Sequence, residues 1–279
     1  MPINWERVPE TIRTYKNQIS ATVKQSFEIK LTEVDDLLPW SSKAGGLPYF
    51  PKGADYPFHS NGTPLQLLAQ INFADLPEND QYPAQGLLQF YIGGTDLYGC
   101  DFDDKQKQDG FRVIYFENVI EDESQLEHDF PEELSVYENG EVFNPFSGEI
   151  GIVFNATEQY IGFEDVGLLR KIFGVNNITE AEKLLATNNL YQDWLIPYSN
   201  IIEEEENHRL GGYPYFTQDD PRNFDSELQE YELLFQLDSA DADGFGIMWG
   251  DMGIGNFFIH PHDLKKRDFS KVLYNWDCA

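Results

Sequence analysis

The sequence predicts an α+β fold that is mostly antiparallel β-sheet, built from an internal duplication, with a few helices at the N-terminus and in a central insert. A set of short apolar runs occurs twice in the same order, which indicates the duplication. Helical periodicity is confined to two places. The connections within each copy are short, which disfavours the helical crossovers that parallel strands require.

The N-terminal region is expected to supply one helix, over residues 5–16, and then one strand. Apolar residues alternate over 19–31, so their side chains would share one face of an extended segment. The alternating residues are Ile19, Ala21, Val23, Phe27, Ile29 and Leu31.

The duplication is visible as matching peptides at equal spacing. The hexapeptide GGLPYF at 45–50 returns as GGYPYF at 211–216, and LLAQI at 67–71 returns as LLFQL at 233–237. Farther along, the spacing shifts by one residue and the matches continue. Each copy therefore reads as a glycine-rich turn followed by strands bounded by Asp, Gly and Pro.

The domain prediction follows from these matches. We expect one compact domain over 1–279 with repeats at about 42–120 and 208–279, because a single copy would be marginally stable by itself. An acidic, partly helical insert at 121–207 separates the repeats.

The insert is predicted to contain helices near 164–173 and 180–188. Thr179 and Glu182 have the spacing of a capping box for the second helix. Its apolar stripe would consist of Ala181, Leu184 and Leu185.

Several ordered blocks of the sequence resemble the YwqG-like family. They are SKAGGLPYFPKG at 42–53, the second block at 64–72, GLLQFY at 86–91, LLFQLD at 233–238, MWGDMG at 248–253, and FFI at 257–259 with Asp263 and Leu264. The resemblance implies a soluble bacterial protein without an established activity or catalytic residues. Some members of that family are associated with toxin–immunity gene arrangements, which would favour an immunity-like or inhibitor-like binding protein.

The charge of the chain excludes several classes of function. The formal net charge is −30, from 49 Asp and Glu against 19 Lys and Arg. Such a surface repels nucleic-acid phosphates and anionic membranes, and it attracts basic proteins. No stretch approaches the ~20 apolar residues that span a bilayer. With only two cysteines, the sequence favours a reduced, cytoplasmic protein.

The acidic residues cluster, and the clusters define a candidate docking surface for a basic protein partner. The alternative interpretation is a set of solvated faces and loops. The candidate residues are Glu121, Asp122, Glu123, Glu127, Asp129, Glu132, Glu133, Glu203, Glu204, Glu205 and Glu206.

A second hypothesis is a small-molecule-binding or metal-dependent enzyme with a cleft between the repeats. Its lining would be Tyr49, Phe50, Tyr215, Phe216, Trp249 and Asp251. For Trp249 and Asp251 the alternative is a structural role, in which the glycines around Trp249 let the backbone approach the indole.

His260 and His262 are the candidate metal ligands, because two imidazoles would point to one side of an extended strand. The first copy has no histidine at the matching places, which favours a turn or cap instead. The run from Asp238 to Gly244 resembles a calcium loop, but its register fails and an acidic hairpin fits better.

Cysteine chemistry and cofactors are not indicated. Acidic neighbours of Cys100 would raise its pKa and make it a poor nucleophile, and Cys278 is expected to be inert. The motifs of hydrolases, kinases, zinc proteases and nucleotide-binding loops are missing from the sequence. No cofactor is called for, and the sequence leaves open whether the protein is an enzyme.

Overall fold

The structure is a computed structural model that describes residues 3–34, 37–162, 165, 167–175, 180, 183–184, 189–202, 207–224, 226–242 and 244–279. Twelve strands lie within these residues, and every neighbouring pair is antiparallel. They are β1 (Lys24–Thr32), β2 (Lys43–Gly45), β3 (Gln66–Asn72), β4 (Leu87–Ile92), β5 (Phe111–Phe116), β6 (Phe146–Gln159), β7 (Arg209–Gly211), β8 (Glu232–Asp238), β9 (Ala240–Ala242), β10 (Phe245–Ile247), β11 (Ile254–Ile259) and β12 (Leu273–Asp277).

The described helices are short. The α-helices are α1 (Glu10–Arg13), α2 (Lys16–Ser20), α3 (Ser135–Glu138), α4 (Leu168–Phe173), α5 (Ile196–Ile202) and α6 (Pro261–Lys266). Single 3-10 turns lie at Phe73–Asp75, Glu123–Gln125, Glu132–Leu134 and Pro221–Phe224, and a π-turn lies at Tyr191–Leu195. The mostly antiparallel sheet with few helices confirms the coarse fold class predicted from the sequence.

The strand order is β12-β11-β8-β7-β1-β6-β2-β3-β4-β5, with β9 and β10 added beside the start of β6. Apart from β9 and β10, the strands of the two predicted repeats therefore occupy opposite halves of the sheet. Between them lie β1 and β6, which pair along the whole length of β1, from Lys24 opposite Gln159 to Thr32 opposite Gly151. This central pair connects β7 to β2, and the pairing of β10 with β6 is a second link between the repeats.

The N-terminal expectations were partly wrong. The helix predicted over 5–16 is replaced by two separate helical segments, α1 and α2. α1 begins only at Glu10, because Pro9 disfavours helical conformation in the residue before it. Ile19 is in α2 rather than in the strand, which starts at Lys24. The predicted insert helix near 164–173 is found as α4. The capping box at Thr179 and Glu182, and the stripe residues Ala181 and Leu185, lie outside the described residues.

The two halves of the sheet repeat each other's backbone geometry. Gly45 and Gly211 both have φ of 69°. A β-bulge interrupts the β3–β4 pairing between Leu67 and Ala69, and the β8–β11 pairing has its irregularity at the corresponding place, between Phe257 and Phe258. Only glycine adopts such positive φ values without strain, so both turns depend on it.

The halves also repeat a buried polar contact. The side chain of Gln70 accepts a hydrogen bond from the backbone of Tyr49 at 2.9 Å, and Gln236 does the same for Tyr215 at 2.8 Å. The amide of Gln70 then donates to the carbonyl of Ser41, while Gln236 donates to Asn207. These contacts support the predicted duplication. Duplication is a statement about evolutionary descent, so it stays a prediction.

The main core lies where the inner faces of the two halves pack together. Phe90 stacks on Phe235 with ring centroids 4.5 Å apart, and Phe111 lies 5.2 Å from Tyr274. All four rings are fully buried. Close-packed aromatic side chains thus occupy the interior between the halves, where a cleft would have needed space.

A second core forms where α1, α2, α4 and α5 pack beside the sheet. It contains Ile12, Ile19, Trp194 and Tyr198, and the last two rings stack at 4.7 Å. The π-turn that presents Trp194 precedes Pro197, which has no N–H to donate to the preceding turn. The missing donor gives a reason for the wider turn at this point.

His208, which precedes β7, makes stability depend on pH. Its Nδ1 accepts a hydrogen bond from the backbone of Asp238 at 3.0 Å, and burial, helped by the charge of Arg209, lowers its pKa to about 4. An unfolded histidine has a pKa of about 6.5, so between these values the unfolded chain binds a proton that the folded chain does not. Stability is therefore lost as the pH falls through this window.

We expect His208→Asn to remove this dependence, because an Asn oxygen can replace the accepting nitrogen without titrating. Between pH 7.5 and 4.5 the wild type should lose about 2 to 3 kcal/mol more unfolding free energy than the variant, from the pKa difference. Urea denaturation at the two pH values measures this. Equal losses in both proteins would show that His208 does not titrate as described.

Candidate functional site

The acidic segment, residues 121–133, is fixed to the chain that follows the first Gly-Gly turn. The backbone N–H of Lys52 donates to Gln125 at 2.9 Å, and the backbone N–H of Glu127 donates to Phe50 at 2.7 Å. Leu126 is fully buried between these contacts and pairs with Pro51 in an isolated β-bridge. The carboxylates on either side of Leu126 are thus held on an ordered backbone.

These carboxylates face solvent. Glu127 is partly exposed and the others are exposed: Glu121, Asp122, Glu123, Asp129, Glu132 and Glu133. None of the seven makes an ion pair with a described residue. Hydrogen bonds from Gln125 and Ser124 lower the pKa of Asp122, so this carboxylate stays ionised. Glu203, Glu204, Glu205 and Glu206 lie outside the described residues.

An aromatic patch lies beside the acidic segment. Tyr56 lies 5.5 Å from Phe50, 5.8 Å from Phe58 and 6.2 Å from Phe130, measured between ring centroids. Phe58 is 40% exposed, and Tyr56 and Phe130 are partly exposed. This patch was not predicted from the sequence, because Phe130 is distant from Tyr56 and Phe58 along the chain and only folding brings them together.

The six residues predicted to line one cleft lie in different parts of the molecule. Tyr49 is fully buried, packs against Leu87 and Leu126, and its hydroxyl accepts a hydrogen bond from Ile120. Phe50 belongs to the aromatic patch defined above. Phe216 packs with Phe258 in a separate cluster on the other half of the sheet.

The other members of that set are also apart. Trp249 is fully buried in the main core, between Tyr98 and Trp276, whereas Asp251 is exposed. A Cβ on Gly255 would come within 2.5 Å of the Trp249 ring. The glycine allows the strand to pass over the indole, which is the structural alternative considered for this motif. Tyr215 lines a cavity near β7.

That cavity has a volume of about 280 Å³. It lies where β1, β6 and β7 meet, and its walls include Glu28, Gln159, Arg209, Tyr213 and Tyr215. Arg209 is buried, with its guanidinium donating to the side chain of Asn207 and to the carbonyl of Tyr213. The cavity thus combines charged and aromatic side chains.

The histidine pair is arranged as a helix cap. β11 ends at Ile259, and Nδ1 of His260 accepts a hydrogen bond from the backbone of His262 at the start of α6. Nδ1 of His262 lies 3.1 Å from the carboxylate of Asp263. The expectation that both rings point from one strand was therefore wrong, because the strand has already ended.

Metal-binding geometry is not found in the part of the chain that the structure describes. No group there of three or more His, Cys, Asp or Glu is placed to hold a metal ion. Asp238 accepts a hydrogen bond from the backbone of Ser239, and Asp241 lies in the β9–β10 hairpin. Asp243, the remaining carboxylate of the calcium-like run, is outside the described residues.

The cysteines differ in exposure. Cys100 is buried, its Sγ lies 3.4 Å from the carbonyl of Tyr274, and burial, with a smaller contribution from Asp101, raises its pKa to about 12. The raised pKa was predicted from the acidic neighbours, but burial is the larger cause. Cys278 is partly exposed.

We therefore expect one thiol to react with Ellman's reagent in the native protein and two in guanidinium chloride. Cys278→Ser should abolish the native reaction, and Cys100→Ser should leave it unchanged. Fast reaction of two thiols without denaturant would contradict the burial of Cys100.

Comparison with known families places the chain. A domain-family profile, described as a domain of unknown function (DUF1963), matches residues 42–278. The chain belongs to the DUF1963 family. No curated protein matches this DUF1963 chain significantly. Among its described residues, no helix has both the length and the apolar character that crossing a bilayer requires. β1 lies outside the matched DUF1963 region, although it is central to the sheet.

Proposed function

We propose that this DUF1963 protein is a soluble, cytoplasmic binding protein that docks a basic protein partner on the acidic segment and the adjacent aromatic patch. An immunity-like or inhibitor-like role fits this mode of action, as does the finer YwqG-like assignment suggested by the sequence blocks. The observation that supports the proposal most directly is the set of seven carboxylates that make no ion pair with a described residue and lie on a backbone fixed to 50–52.

Order in the free protein favours binding. A surface that is already fixed loses little conformational entropy when a partner docks. Here the buried Leu126, the β-bridge to Pro51 and the ammonium of Lys52 on the carbonyl of Ser124 hold the acidic segment in place. A loose acidic loop would lack this advantage.

The chemistry of the surface selects the partner. Carboxylates attract Lys and Arg side chains, and exposed rings such as Phe58 add cation–π contacts to the same groups. The interaction should therefore depend on salt, because ions screen exposed charges. A partner with a Lys- and Arg-rich face fits this combination best.

The test compares two variants with equal changes in charge. The acidic-segment variant changes Glu121, Glu123, Glu132 and Glu133 to Gln, and the control variant changes Glu6, Glu33, Glu78 and Glu158 to Gln. All eight side chains are exposed. In low-salt pull-downs we expect the wild type and the control variant to retain the same basic protein and the acidic-segment variant to lose it. Equal retention by both variants would refute the proposal.

The cavity near β7 supports a second candidate function, the binding of a small polar molecule, with or without a reaction. Its volume of about 280 Å³ is close to the lower end of known ligand pockets, which begin at about 300 Å³. Screening small metabolites by thermal shift against the wild type and Glu28→Gln tests this. A ligand that raises the melting temperature of Glu28→Gln as much as that of the wild type binds elsewhere. Elemental analysis of the purified protein tests whether the second candidate function depends on a metal.

A further inference from the structure

The two end strands of the sheet come close together without pairing. Among the described strands, β5 pairs only with β4, and β12 pairs only with β11. Their side chains meet, since Phe111 of β5 lies 5.2 Å from Tyr274 of β12. A gap thus separates the outer edge of β5 from the chain that leads into β12.

Residues 105–108 fill the part of this gap nearest Phe111 and Tyr274, which we call the upper part. The backbone N–H of Tyr274 donates to the carbonyl of Lys105 at 2.9 Å. Farther along, the side chain of Gln106 donates to the carbonyl of Lys271, and that of Gln108 donates to the carbonyl of Phe269. The chain itself therefore occupies the upper gap, as a series of turns hydrogen-bonded to the chain on the β12 side.

The amide of Gln108 takes the place of a peptide group at the end of this segment. Its oxygen accepts from the backbone N–H of Val113 at 2.9 Å, and its nitrogen donates to the carbonyl of Phe269 at 2.6 Å. A strand between two neighbours does the same, accepting on one side and donating on the other. The gap here therefore has the width that one inserted strand needs, about two inter-strand spacings of 4.8 Å.

The lower part of the gap is open to solvent at the surface, and beneath it the rings of Tyr115 and Phe269 contact each other with centroids 5.4 Å apart. A groove of about 570 Å³ runs between Val113–Tyr115 on one side and Arg267–Ser270 on the other. Because the N–H of Val113 points away from β4, that of Tyr115, two residues on, points into the groove as well. An edge with outward-facing N–H and C=O groups is a template for another strand.

The side chains around the groove specify what the inserted strand would carry. Val113 and Tyr115 belong to the inner, apolar face, where Phe269 is buried. Arg112 and Arg267 lie on opposite sides of the groove, and Arg267 contacts Glu117. Lys266 and Lys271 nearby are exposed and make no ion pair with a described residue. Alternating apolar and carboxylate side chains fit these surroundings.

We propose that the groove between β5 and residues 267–270 binds an extended, acidic segment of a partner protein, which pairs with the outer edge of β5. Backbone hydrogen bonds to Tyr115 provide affinity, and carboxylates that reach Arg112 and Arg267 provide selectivity. This site is separate from the acidic segment. The proposal therefore does not depend on the docking function proposed above.

The probe is a fluorescein-labelled, end-blocked heptapeptide of alternating valine and glutamate, measured by fluorescence polarisation. We expect saturable binding, which weakens at least roughly tenfold when lysine replaces glutamate or when alternate amides are N-methylated. Absence of binding, equal binding of the lysine peptide, or indifference to N-methylation would overturn the proposal.

Variants locate the site. Tyr115→Pro removes an outward-facing N–H from an edge strand, where proline is tolerated, and should abolish binding. Arg267→Gln should weaken binding several-fold, while the matched control Lys265→Gln on α6 should not. If Tyr115→Pro does not fold, the N-methylated peptide carries the same test. A concentration-dependent dimer in light scattering would show that a second copy occupies the edge and would overturn the choice of partner.

Discussion

A chain trimmed to residues 42–279 is expected to lose its cooperative unfolding transition, although it keeps almost all of the DUF1963 region. The trimming removes β1, which pairs with β6 over its full length and with β7 on its other side. It also removes Phe27 and Ile29, which are buried in the main core. The strand that joins β6 to β7 would then be missing, and β6 and β7 would each present an unpaired edge.

The measurement is urea denaturation followed by circular dichroism. The matched control begins at residue 24 and keeps β1 while losing α1 and α2. We expect this control to unfold cooperatively at a lower urea concentration, because it loses part of the second core. If the chain starting at 42 unfolds with the same midpoint as the full chain, β1 does not join the halves.

Replacing Arg222 by Met is expected to lower the unfolding free energy by about 3–5 kcal/mol, since it leaves two buried carboxylates without their counterion. The guanidinium of Arg222 lies 3.0 Å from Asp165 and 2.7 Å from Asp220. It also donates to the carbonyl of Tyr231 at 2.8 Å and lies over the ring of Phe258. All three charged side chains are almost fully buried.

Arg170→Met is the matched control. Arg170 pairs with Glu230 at 3.0 Å, but both side chains are well exposed, so the pair should contribute less than about 1 kcal/mol. Urea denaturation of the two variants separates the cases. A loss of less than about 1 kcal/mol in Arg222→Met would contradict a structural role for the buried cluster.

The fold was predictable where local chemistry decides it. Gly45 and Gly211 have the positive φ values that their Gly-Gly motifs indicated, and the apolar run at 87–92 is a fully buried strand. The role of β1 was not predictable, because its partner β6 lies more than a hundred residues away in the chain. Alternating apolar residues indicate a strand but not its neighbours.

The candidate site was predictable in part. The exposed carboxylates of the acidic segment follow from composition, since charged residues without partners remain in water. The aromatic patch depends on contacts between residues near 50–58 and Phe130, which only the folded chain brings together. Trp249 is a candidate groove residue from the sequence because ligand pockets combine aromatic and polar side chains, but Trp249 is fully buried in the core, where Gly255 lets the backbone pass over its ring.

The most direct test of the docking surface is the salt dependence of the dissociation constant for the basic partner retained in the pull-down. For the wild type and for the control variant with Gln at 6, 33, 78 and 158, Kd should rise steeply as salt increases from about 50 to 500 mM. For the variant with Gln at 121, 123, 132 and 133, Kd at low salt should already be at least roughly tenfold higher, with a shallower slope. If the two variants have the same Kd and slope, the partner does not dock on the acidic segment.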